Sequence, residues 1–84
     1  MRGRGQRELA ADHPLKAIYN RRLNTILQSQ RRGKLDEVTA DAMRKLAKDK
    51  LQRALSDANY ARGDYGAEMT QAALLAEARK NADA

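Results

Sequence analysis

Pro14, Gly33 and Gly63 divide the chain into stretches whose larger apolar residues recur every three or four positions and nowhere alternate. That is the spacing of helices buried on one side, and it excludes half-buried strands. An all-α fold follows, predicted as a small bundle of three helices over about 14–32, 36–61 and 65–80. The first helix is expected to open at Pro14, which suits the first position of a helix and keeps His13 out of helical backbone. Leu15, Ile18, Tyr19, Leu23, Ile26 and Leu27 then run along one side of it. Arg22 intrudes on that side and is expected to snorkel. Gly33 is the left-handed stop, with Arg31 and Arg32 favouring the negative end of the helix.

Leu35 and Asp36 restart the chain with a staple-type hydrophobic residue, paired to Val38 or Ala40, and an N-cap carboxylate. In the second helix Met43, Leu46, Ala47, Leu51, Ala54, Leu55 and Ala58 cover more than half of the circumference, which places it centrally. Gly63 and Asp64 form the next stop and start signal. Along an unbroken third helix Tyr65, Met69, Ala72, Ala73, Leu75 and Ala76 share a face, and Leu74 points away from it. Residues 81–84 are expected to fray.

A chain of 84 residues holds one domain. The expected organisation is a flexible basic arm and lead-in over 1–13, a helical domain over 14–80 and the tail. Sixteen of the apolar residues are Ala, and 19 larger ones remain to drive folding. So few for three helices predicts a marginal monomer or a self-associating chain, homodimer included.

The net charge of +6 is unevenly placed. Residues 1–34 hold nine bases and two acids, 35–55 five and four, and 56–84 three and five. Two features coincide in the basic third. Arg2, Arg4 and Arg7, interleaved with Gly3 and Gly5, can track a groove or phosphate backbone with little hindrance. Arg21, Asn24, Gln28, Arg31 and Arg32, with Lys34 just beyond, project from one side of the first helix, and these side-chain types contact phosphates and base edges. Basic termini and charged outer helix faces also occur where nothing is bound, so the coincidence of the two carries the argument.

Catalytic chemistry finds little to use. No Cys is present, which removes disulfides, thiolate metal sites and thiol nucleophiles. His13 is the sole His and sits at a helix boundary, where a cap or surface role suits it better than a ligand or base. Asp36, Glu37 and Asp41 are read as acids favouring a helix start and not as a metal site. No phosphate-cradling or dinucleotide glycine motif occurs. The chain is therefore expected to have no enzymatic activity, cofactor, metal or small-molecule substrate. There is neither a signal-type apolar segment nor the run of about 18 apolar residues a membrane span needs, so a cytoplasmic protein that does not bind membranes is expected.

Two readings remain. The first is a small basic nucleic-acid-binding accessory or regulatory protein that contacts phosphates through its arm and first helix. Duplex or structured nucleic acid is favoured, because the aromatic residues are three Tyr, at 19, 60 and 65, and do not form a stacking platform. The second is an adaptor or inhibitor docking on another protein, such as a nucleic-acid-handling enzyme, through Leu74, Tyr65 and Glu68. Between the first two helices, the junction 31–36 suits a helix-turn-helix and an antiparallel hairpin alike.

Overall fold

A computed structural model describes residues 13–83, and these form five α-helices with no strand. Arg2, Arg4, Arg7 and the rest of the predicted arm lie outside the described residues. Helix α1 is Pro14–Arg31, capped by the His13 ring, whose Nδ1 accepts the Leu15 backbone N–H at 3.2 Å. Its end is a Schellman turn. Lys34 N–H donates to the Ser29 carbonyl (2.9 Å) and Gly33 N–H to that of Gln30 (3.0 Å) while Gly33 takes φ +77°. A Cβ at Gly33 would meet nothing within 4 Å, so Gly33→Ala carries only the conformational cost of the left-handed backbone. That substitution is expected to destabilise the fold by about 1 kcal/mol in a urea titration.

Helix α2, Glu37–Ser56, begins at Asp36, whose carboxylate accepts the Thr39 N–H at 3.2 Å. Leu35 and Ala40 are buried together as a hydrophobic staple, whereas Val38 is 76% exposed. The helix is central, packing most extensively on α1 and on the last helix. Ala40, Met43, Ala47, Leu51 and Ala54 form its buried arc, and Leu55, at the edge of that arc, is half exposed.

The second predicted helix does not reach residue 61. Asp57 adopts extended backbone (φ −134°, ψ 100°) and its carboxylate accepts the N–H groups of Asn59 and Tyr60, starting a separate helix α3, Ala58–Arg62. Asp stabilises a helix best as an N-cap, so an internal Asp57 competes with continuation of α2. Ala58, beyond the break, is exposed.

The third predicted helix is also two. Helix α4, Tyr65–Glu68, is separated by Met69 and Thr70 from α5, Gln71–Asp83. Thr70 caps α5 by accepting the Ala73 N–H at 3.2 Å. Arg22 of α1 donates from Nε to the Met69 carbonyl (2.7 Å) and from a terminal nitrogen to Gln71 Oε1 (3.3 Å), fixing both sides of the break. Snorkelling therefore understates Arg22, which satisfies a helix-end carbonyl.

The break overturns the placing of Leu74. In one continuous helix Leu74 is nine residues from Tyr65, two and a half turns away, and faces the opposite side. With the phase reset at Thr70, Tyr65, Met69, Leu74 and Ala78 all enter the core, Leu74 at 0% exposure, while Ala72 and Ala76 face out. The predicted tail is helical through Asp83, because no Gly or Pro after Arg79 stops α5.

Candidate nucleic-acid interface

Residues 13–34 contain six bases and no acid. Lys16 and Arg22 are half-buried, Arg22 on the core side of α1. The other four, Arg21, Arg31, Arg32 and Lys34, are exposed, as are Asn24 and Gln28 between them. At 100° per residue the helical members fall within one arc centred opposite the fully buried Ile26. Neither a hydrogen bond nor an ion pair joins these exposed side chains to another described residue. Several bases elsewhere are engaged: Lys45 with Asp41, Lys50 with two glutamates, and Arg44 with Gln30. Among the described residues, the outer face of α1 is thus a row of unpaired positive charge carrying two amides whose donors and acceptors are not engaged.

The residues predicted for protein docking lie elsewhere, and the two apolar ones are not offered to solvent. Leu74 and Tyr65 are core residues, and the Tyr65 hydroxyl donates to the Leu15 carbonyl at 2.8 Å. Glu68 is half-buried. Its carboxylate accepts from the Tyr60 hydroxyl at 2.6 Å and from Lys50 Nζ at 3.3 Å, and Lys50 also reaches Glu77 at 2.8 Å. The Arg53 guanidinium stacks 4.0 Å over the Tyr60 ring. Lys50, Arg53, Tyr60 and Glu77 edge a cleft of about 190 Å³ between α2, α3 and α5. Only one sign of this cluster is visible in the sequence: Lys50 falls between Ala47 and Ala54 on the apolar arc of α2, where a cation requires partners.

A family model described as a family of unknown function, DUF6076, matches residues 1–81. The chain belongs to that family. No curated protein and no solved structure matches it.

The chemistry open to the two regions differs. Around the cleft, burial and the Glu68 carboxylate push the Tyr60 hydroxyl far above its ordinary value. Burial pulls Lys50 down, but its two glutamates outweigh that and leave it raised. Both groups hold their protons more firmly than usual, the reverse of what a general base or amine nucleophile needs near neutral pH. The hydrogen bond from Tyr60, then Lys50, holds Glu68 below its usual 4.5. A lowered carboxylate contributes stability that is present above its unfolded value and lost as pH falls through the folded one. Glu68→Gln is accordingly expected to flatten part of the acid limb of a stability profile below about pH 4.5, measured by urea titration, without moving the neutral plateau's slope. Among the described residues no group of three or more His, Asp or Glu could hold a metal ion, and no helix is long and apolar enough to cross a membrane.

Proposed function

We propose that this DUF6076 member is a small basic nucleic-acid-binding accessory or regulatory protein of the cytoplasm, without catalytic activity of its own. Arg21, Arg31, Arg32 and Lys34 contact phosphates from α1 and its Schellman turn, and Arg2, Arg4 and Arg7 add contacts from the N-terminal segment. The observation that carries this reading is the row itself: exposed bases on one helix face, unpaired among the described residues, in a stretch without an acid. Such a row is costly in self-repulsion and is relieved by a polyanion.

The adaptor reading needs a contiguous apolar anchor, and its named one is buried. Among the described residues the exposed large apolar side chains are Leu27, Val38 and Leu55. Val38 and Leu55 lie about 25 Å apart along α2, too far to form one patch.

Titrating a labelled duplex at several salt concentrations tests the proposal. With about five phosphates engaged, the log–log slope of affinity against salt is expected near about −4.5. No binding near about 100 mM salt, where screening extends over about 10 Å, would return the adaptor reading to first place.

A further inference from the structure

Resting on that reading, we propose that the outer face of α1 reads the major groove of B-form DNA, with Asn24 and Gln28 at base edges and the arginines on flanking phosphates. Position along the helix is the first argument. The major groove, about 12 Å wide, admits a helix lying in it, and Arg21 and Arg31 are ten residues apart, a rise of about 15 Å along such a helix. The amides at the middle of the face then lie over the floor, and the arginines at its two ends, on longer side chains, reach the phosphates of the walls. The second argument is chemical. Asn and Gln present an acceptor and a donor in the geometry that adenine's N6 and N7 complement, and neither side chain is committed to a described residue.

Access is the third. The centre of this face is opposite Ile26, on the side of α1 away from α2, so the central helix does not block its approach to a groove. Alternatives among nucleic acids fit less well. The major groove of A-form RNA is too deep and narrow for side chains to read. Single strands are held by stacking on aromatic rings, and here Tyr60 and Tyr65 are buried and Tyr19 is half-buried.

Asn24 and Gln28 are one turn apart, about 6 Å along the axis, or about two base-pair steps of about 3.4 Å. The chain should then prefer duplexes carrying two adenines about two base pairs apart. The test is selection by the full chain from a randomised DNA duplex pool, followed by affinity and salt slope on the selected duplex, an all-G·C duplex and an RNA duplex of the selected sequence.

The expected result is enrichment of that adenine pair and roughly tenfold or greater preference for the selected DNA over both others. In Asn24→Ala/Gln28→Ala, two exposed helix positions, the preference disappears while the salt slope and the helical circular dichroism spectrum stay unchanged. Equal affinity for all three duplexes with a steep salt slope would overturn groove reading and leave phosphate binding standing. Preference for the RNA duplex would also overturn it. Absence of binding to every duplex would remove groove reading together with the nucleic-acid reading beneath it.

Discussion

Leu74→Ala is expected to lower the stability of the fold by about 3 kcal/mol, because it empties a fully enclosed site in a core with few large side chains. Tyr65, Ile26, Met43, Met69 and Leu74 are the largest side chains fully enclosed in that core. A domain of this size has a total stability of about 4–12 kcal/mol, so one truncation removes a large part of it. Thermal unfolding should begin more than about 10 °C lower. Leu55→Ala, at a half-exposed position, should cost under about 1 kcal/mol. Comparing the two by circular dichroism melting checks the phase reset at Thr70 directly. A Leu74→Ala melt that overlays the wild type would mean that Leu74 lies on the surface, as an unbroken third helix requires.

The contrast between those two leucines shows how far the sequence can be read. Helix content, the His13 and Asp36 caps, the Gly33 stop and the central place of α2 are all legible, because each depends on residues within a few positions of one another. Asp41, Lys45, Lys48, Asp49, Gln52 and Ser56 face water as the period predicts. The breaks at Asp57 and at Met69–Thr70 are not legible in the same way, though an Asp and a Thr able to cap stand there. Neither break involves Gly or Pro, and an internal Asp or Thr is common enough in helices that tertiary packing decides. One deciding interaction is Arg22 on the Met69 carbonyl, 47 residues away in sequence. A helix drawn through that break rotates every later residue, which puts Leu74 outside and Ala72 and Ala76 inside. In the candidate site, the exposure of Arg21, Asn24, Gln28 and Arg31 follows from periodicity, and that of Arg32 and Lys34 from their place in the polar turn around Gly33. Their lack of partners does not, because pairing depends on which acids the fold brings near, and it brings none of those described.

The replacement of Arg21 and Arg32 together by Gln is expected to have the largest effect on binding. Both side chains are exposed and make no hydrogen bond or ion pair to a described residue, so their removal leaves no buried group unsatisfied and the fold should melt as before. Each phosphate no longer neutralised takes about 0.9 from the magnitude of the log–log salt slope. The double substitution should therefore make the slope shallower by about two and weaken binding at low salt across all duplex sequences. Val38→Ala, at an exposed position on α2, removes no charge and should change neither quantity.

The salt slope of duplex affinity for wild type, Arg21→Gln/Arg32→Gln and Val38→Ala is the most direct measurement of whether the α1 face holds phosphates. The expected result is about −4.5 for wild type and Val38→Ala and about −2.7 for the double substitution. Equal slopes in all three proteins, or no duplex binding by the wild type near about 100 mM salt, would contradict it.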